Sequence, residues 1–139
     1  LIQGEEGVGK TSLACQIALW ALASKATDRP CKHQMLPVIL EGDLDLKTAG
    51  SKTPIFEAIR GQLQNLADES DPISEALLEQ LLRKNRILVI VDGLSERSEE
   101  TRKQVNPELP DFLINALLVT SRSSEGLSKV TKTTISFTI

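Results

Sequence analysis

The sequence predicts an α/β fold, a three-layer αβα sandwich built around a parallel sheet. Short apolar runs alternate along the chain with segments whose apolar residues recur at helical spacing. The run 87–91 is apolar without alternation, which is typical of a parallel strand buried on both faces. Strands separated by helices pair in parallel through right-handed crossovers, so the pattern favours helices on both faces of one sheet.

The elements follow one another in a regular order. Strands are predicted at 1–3, 37–40, 87–91, 116–120 and 133–139. Helices are predicted over 11–25, from Thr53-Pro54 and from Asp71-Pro72, because a capping residue followed by proline is a common helix start. The third helix ends at the basic pair Arg83-Lys84, and 95–104 is a solvated helix or loop. Polar connections occupy 26–34 and 42–52.

The first helix is apolar nearly all round. Such a helix is either buried on several sides or packed against something outside this chain. We expect Trp20 to lie in the core rather than to serve as a platform for base stacking.

Composition narrows the function classes. The 139 residues are 40% hydrophobic and 25% charged, as in a globular domain with its own core. The net charge of −3 argues against a mainly electrostatic nucleic-acid binder, and no apolar run approaches the roughly 18 residues of a membrane span. Cys15 and Cys31 are interpreted as reduced thiols, which favours a cytoplasmic location. Cys31 and His33 share a loop, but two nearby ligands do not make a zinc site.

The ends of the chain suggest a larger parent. The sequence begins at Leu1 and closes on a strand-like segment. We therefore expect residues 1–139 to be a single domain excised from a longer polypeptide.

A glycine-rich motif lies between the first strand and the first helix. Residues 4–11 match G-x-x-x-x-G-K-[ST] in full. Its glycines allow backbone N–H groups to approach a phosphate chain closely, and the helix that follows adds the positive end of its dipole. Lys10 would contact the β- and γ-phosphates, and Thr11 would offer its hydroxyl to Mg²⁺.

Two carboxylates follow the apolar strand 87–91. Asp92 stands at its carboxyl end, the edge at which open α/β sheets bind ligands, and can hold Mg²⁺, usually through a water. The alternative is a turn cap before Gly93. Glu96 could orient an attacking water, or could be one surface charge in the polar run 95–100.

An arginine closes the fourth strand. Arg122 could sense or stabilise the charge of a γ-phosphate, because strand ends of one sheet share an edge. The alternative is a solvated arginine.

These residues, in this order, resemble the NACHT group of STAND-type P-loop ATPases. The resemblance rests on residues 4–12, on 36–40, on Asp92-Gly93-Leu94-Ser95-Glu96 after its strand, and on 117–122. It implies a five-stranded parallel sheet in the order 5-1-4-3-2 and slow hydrolysis of bound ATP or GTP with Mg²⁺. It also implies nucleotide-dependent self-association of the parent in regulatory switches. From the net charge and the apolar runs, we expect no direct binding of nucleic acid or membrane.

The resemblance assigns roles residue by residue. The nucleotide-binding residues are Gly4, Glu5, Glu6, Gly7, Val8, Gly9, Lys10, Thr11 and Ser12. The metal residues are Thr11 and Asp92, and the catalytic residues are Lys10, Glu96 and Arg122. Ser95 departs from the pattern, since the group usually carries an acid there.

Three other functions remain open at this point. An AAA-type remodelling ATPase is disfavoured by Gly93, where many such motors place a glutamate. A module that binds nucleotide but has lost catalysis is suggested by Ser95. A nucleoside kinase is disfavoured by the absence of a motif for the acceptor.

Overall fold

The computed structural model describes residues 1–47, 53–67, 73–124 and 126–137. Its strands are β1 Ile2–Gln3, β2 Leu36–Leu40, β3 Ile87–Val91, β4 Leu117–Ser121 and β5 Ile135–Ser136. Its helices are α1 Lys10–Ala21, α2 Pro54–Ala67, α3 Glu75–Arg83 and α4 Glu99–Gln104, with 3-10 turns at Ala26–Asp28 and Leu94–Glu96. All neighbouring strands pair in parallel in the order β2-β3-β4-β1-β5. The predicted sheet order is confirmed.

Strand β3 shows why the fold has three layers. All five of its residues are buried. Leu88 and Ile90 pack into the cluster that contains the alanines of α1. Ile87, Val89 and Val91 face the opposite cluster, which α2 and α3 complete. Because successive side chains of a strand point to opposite faces, burial on both faces produces the unbroken apolar run in the sequence.

The starts of α2 and α3 depend on hydroxyl caps. Thr53 Oγ1 accepts a hydrogen bond from the Phe56 N–H at 3.3 Å, so the predicted start of α2 is confirmed. Helix α3 begins one residue after Ser74, whose Oγ accepts from the Leu77 N–H at 3.1 Å. The start predicted at Asp71-Pro72 lies outside the described residues.

Helix α1 differs from the expectation in length and orientation. It ends at Ala21 rather than near residue 25, and the Leu22 N–H turns back to the Leu19 carbonyl at 3.2 Å. Its buried residues are the alanines 14, 18 and 21, while Trp20 is 43% exposed. The prediction of a core Trp20 was therefore wrong, and of the two alternatives left open for this helix the structure does not show burial on several sides. A helix that meets the sheet through alanines turns its larger residues outward.

The remaining differences lie at the edge of the sheet and in loops. Strand β5 is shorter than predicted, and residues 138 and 139 lie outside the described part. The predicted loop 42–52 is described only as far as Lys47. The charged run 95–104 holds α4, which Ser98 caps by accepting from the Thr101 N–H at 3.2 Å. In the described residues, no helix combines the length and apolarity that a membrane span requires.

Candidate functional site

The candidate site is an open cavity of about 420 Å³ where β1, β3 and β4 end. Its lining residues come from the glycine-rich loop, the start of α1 and the strand ends. They are Glu6, Gly7, Gly9, Lys10, Thr11, Ser12, Asp92, Gly93, Glu96, Arg97 and Thr120. Gly4, Glu5 and Val8 complete the same loop. A larger apolar cavity of about 680 Å³ holds none of the predicted site residues.

The glycine-rich loop has the backbone that its sequence predicts. Gly7 and Gly9 take φ values of 81° and 102°, a region that side chains disfavour, and α1 begins directly afterwards at Lys10. The Gly4 N–H donates to the Ser121 carbonyl at 3.2 Å, which fastens the loop to β4. Lys10 Nζ donates to the Glu5 carbonyl at 2.7 Å, so the lysine lies back across its own loop. A loop of this kind leading into a helix N-terminus is suited to binding phosphate.

Asp92 is held between two threonine hydroxyls. Thr11 Oγ1 lies 3.0 and 3.1 Å from the two carboxylate oxygens of Asp92, and Thr120 Oγ1 donates to Oδ1 at 2.6 Å. Thr120 in turn accepts from the Gly93 N–H at 2.7 Å and is only 1% exposed. The structure thus brings together Thr11 and Asp92, which come from separate motifs, and fixes the carboxylate from beneath.

The Thr11–Asp92 pair fits Mg²⁺ as a ligand set. Both side chains offer hard oxygen atoms, and together they supply one carboxylate and one hydroxyl. Mg²⁺ is commonly bound by one or two carboxylates together with substrate phosphates and waters, rather than by a cage of protein ligands. The described residues contain no cluster of three or more His, Cys, Asp or Glu side chains suited to a metal.

Arg122 does not itself line the cavity, but it lies between two carboxylates that do. Its Nη2 is 2.9 Å from Glu6 Oε2 and 3.7 Å from Glu96 Oε1. The Arg122 N–H also donates to Ser95 Oγ at 3.0 Å. The structure therefore brings Glu96 and Arg122 to the same place, together with Glu6 from the glycine-rich loop. It also gives Ser95, the departure from the family pattern, a contact with the end of β4.

Arg97 and Thr120 line the site although neither was predicted as a site residue. Arg97 Nη2 donates to the Asp92 carbonyl at 3.4 Å, while its buried Nε has no hydrogen-bond partner among the described residues. Gly93 has a φ of 67°, and a Cβ there would lie 3.1 Å from Arg97 Nη2 and 3.3 Å from Glu96 Oε2. Thr120 could have been found from the sequence, since parallel register aligns the ends of β3 and β4. Arg97 was hidden in a charged run.

A contact behind Arg97 joins two loops. Asp43 Oδ1 accepts from the Ser98 N–H at 2.7 Å, and the Leu44 N–H donates to Thr101 Oγ1 at 3.0 Å. The hydrogen bond from the Ser98 backbone lowers the pKa of Asp43 below its ordinary value. The start of α4, directly after Arg97, is thus tied to the chain that follows β2.

The parallel sheet, the glycine-rich loop between β1 and α1, and the carboxylate at the end of β3 define a P-loop NTPase, a nucleotide-binding module. A family model described as the NACHT domain matches residues 1–135. The chain therefore belongs to the NACHT domain family. Comparison with curated proteins and with solved structures found no match.

Proposed function

We propose that this chain is the ATP-binding core of a slowly hydrolysing switch. The observation that carries the proposal is the juxtaposition of Thr11 and Asp92, at 3.0 Å, beside the glycine-rich loop. A triphosphate on the loop would reach this pair through its metal ion. ATP is favoured by the family, and GTP is the alternative nucleotide.

Phosphate binding would use residues 4–12. The backbone N–H groups after Gly7 and Gly9 would donate to phosphate oxygens, and Lys10 would exchange the Glu5 carbonyl for the β- and γ-phosphates. Mg²⁺, when bound by Thr11 and Asp92, would neutralise part of the phosphate charge. Thr120 would keep the Asp92 carboxylate in one orientation by its 2.6 Å hydrogen bond.

Hydrolysis would depend on Glu96. Its carboxylate lines the cavity and would orient the water that attacks the γ-phosphorus, with ADP as the leaving group. Arg122 would stabilise the charge on the γ-phosphate. Ser95 supplies no second acid here, and Glu96 is largely exposed to solvent, so we expect slow turnover by the isolated domain.

The proposed output is a change of assembly. ATP and ADP would make different contacts with Arg122 and Glu96, and a ligand shifts a conformational equilibrium only through such differences. The ATP form of a longer parent would self-associate and the ADP form would rest, in a cytoplasmic regulatory protein. Nucleotide and further copies of the parent are the expected partners.

Lys10→Ala tests the phosphate site. We expect ATP binding to be lost while the fold stays intact, because Lys10 is outside the core. The measurements are ATP titration by calorimetry and circular dichroism. Lys103→Ala on α4 is the matched control, since it removes the same charge from an exposed helix without touching the cavity. Unchanged ATP affinity in Lys10→Ala would refute the site assignment.

Asp92→Asn tests the metal role, and Glu96→Gln tests catalysis. Asp92→Asn should weaken ATP binding more with Mg²⁺ than with EDTA, and equal losses would contradict a metal contact.

Glu96→Gln should slow turnover while ATP stays bound, because the amide keeps the shape but loses the charge. Normal turnover in Glu96→Gln would mean that Glu96 is a solvated surface charge with no part in hydrolysis. Turnover of roughly 1 to 10³ per second in the unmodified domain would refute slow hydrolysis.

A further inference from the structure

Glu6 places a carboxylate at the mouth of a site built to attract anions. It is the third residue of the glycine-rich loop, it lines the cavity, and its side chain is 79% exposed. Its Oε2 lies 2.9 Å from Arg122 Nη2. Two residues 116 positions apart in the chain are thus joined at the side of the cavity.

A carboxylate at this position opposes the binding of anions by the glycine-rich loop. The backbone N–H groups and the α1 dipole favour bound anions. The charge of Glu6 repels a polyphosphate and also occupies a cation that the γ-phosphate could use. Glu96 Oε1 lies 3.7 Å from the same Nη2, so Glu6 is the nearer partner of Arg122. Both carboxylates approach the same nitrogen of Arg122, so a phosphate that contacts Nη2 weakens its 2.9 Å pair with Glu6.

We infer that Glu6 sets the nucleotide preference of the site by competing with the γ-phosphate for Arg122. The inference rests on the proposed function, because it needs a nucleotide on the loop. ADP has no γ-phosphate, so it leaves the Glu6–Arg122 pair intact. A γ-phosphate of ATP that contacts Arg122 Nη2 has to share this nitrogen with Glu6. Glu6 therefore lowers ATP affinity relative to ADP affinity and holds the domain toward its ADP form.

The exposure of the pair limits the size of the effect. Exposed ion pairs contribute little, since water and salt screen them. Removing the competitor should therefore raise the ratio of ATP affinity to ADP affinity by about 2- to 5-fold rather than by orders of magnitude. The gain should shrink as the salt concentration rises from about 0.05 to 0.5 M, because the competing groups are charged.

The test compares Glu6→Gln with Glu5→Gln. Both variants remove one negative charge from adjacent positions of the same loop, but only Glu6 contacts Arg122. ATP and ADP affinities are measured by calorimetry with Mg²⁺ at both salt concentrations. We expect Glu6→Gln to raise the ATP-to-ADP affinity ratio by about 2- to 5-fold, and Glu5→Gln, which removes the same charge without that contact, to raise the ratio less.

A double variant separates competition for Arg122 from general repulsion. In an Arg122→Ala background there is no cation to compete for, so Glu6→Gln should change the affinity ratio no more than Glu5→Gln does. A raised ratio in Glu6→Gln that falls to the level of Glu5→Gln in this background supports the inference.

Three results would overturn the inference. They are an unchanged ratio in Glu6→Gln, an equal rise in Glu5→Gln, and a rise that persists in full without Arg122. In each of these cases the proposed function still holds, provided that the unmodified protein binds ATP. Failure of the unmodified protein to bind either nucleotide would instead overturn both.

Discussion

Replacing Thr120 by valine removes the support beneath Asp92 while keeping the side chain's shape. The Thr120 hydroxyl accepts from the Gly93 N–H at 2.7 Å and donates to Asp92 Oδ1 at 2.6 Å, and the residue is 1% exposed. A valine would leave the Gly93 N–H without its acceptor, at about 1–3 kcal/mol. It would also remove a hydrogen bond to a charged group, at about 1.5 kcal/mol or more.

The net loss of stability can be converted into a melting shift. The extra buried methyl group of valine offsets about 0.8 kcal/mol, which leaves a loss of about 2–4 kcal/mol. For 139 residues the unfolding entropy is about 0.3 kcal/mol/K, so Tm should fall by about 6–13 °C. Mg²⁺-dependent ATP binding should weaken as well, because the Asp92 carboxylate is no longer held in one orientation.

Thr120→Ser is the matched control for this prediction. Serine keeps the hydroxyl and loses one buried methyl group, which costs about 0.5–1.5 kcal/mol, or about 2–5 °C. Calorimetric melting of both variants checks the difference, and ATP titrations with Mg²⁺ and with EDTA check the site. If Thr120→Val melts no lower than Thr120→Ser, the two hydrogen bonds do not support the end of β3 as argued.

Three further predictions follow from other contacts. Gly93→Ala should lower stability by about 1–2 kcal/mol because its φ is 67°, and thermal unfolding equal to the unmodified domain would contradict this. The lowered pKa of Asp43 stabilises the fold above the ordinary value of 3.8, and this contribution is lost as pH falls through the folded-state pKa. In Asp43→Asn the free energy of unfolding should therefore depend less on pH below about 4 than in the unmodified domain. Urea unfolding between pH 5 and 3 measures this difference. Arg122→Ala should weaken ATP binding about ten- to a hundred-fold with little change for ADP, and equal losses would place the side chain elsewhere.

Local patterns predicted the framework well because their causes are local. The unbroken apolar run of β3 reflects burial on both faces, and the Thr53 cap is made with Phe56 three residues away. The glycine-rich loop was found because its phosphate-binding geometry requires residue types at fixed spacing. The meeting of Thr11 and Asp92 followed from the order of the strands.

Contacts that depend on tertiary packing were not predicted. The Glu6–Arg122 pair exists because β1 lies beside β4, and no local pattern shows which charges meet across that junction. Trp20 was misplaced because helical periodicity does not reveal that α1 meets the sheet through its alanines. Arg97 became a site residue only through the turn at Gly93, whose positive φ the sequence does not show.

The unequal burial of the strands has a consequence for motion. Amides exchange with solvent slowly where opening requires global unfolding and quickly where a segment opens alone. Strand β3 is buried throughout between two paired neighbours, whereas the two residues of β5 are exposed at an edge beside the two-residue β1. The free energy of local opening should therefore fall from β3 toward β5. Asp92 directly follows the strand whose amides should exchange most slowly. The glycine-rich loop follows β1, on the side of the sheet that should open most readily. A ligand that contacts both Asp92 and the glycine-rich loop should slow amide exchange in β1 and β5 far more than in β3.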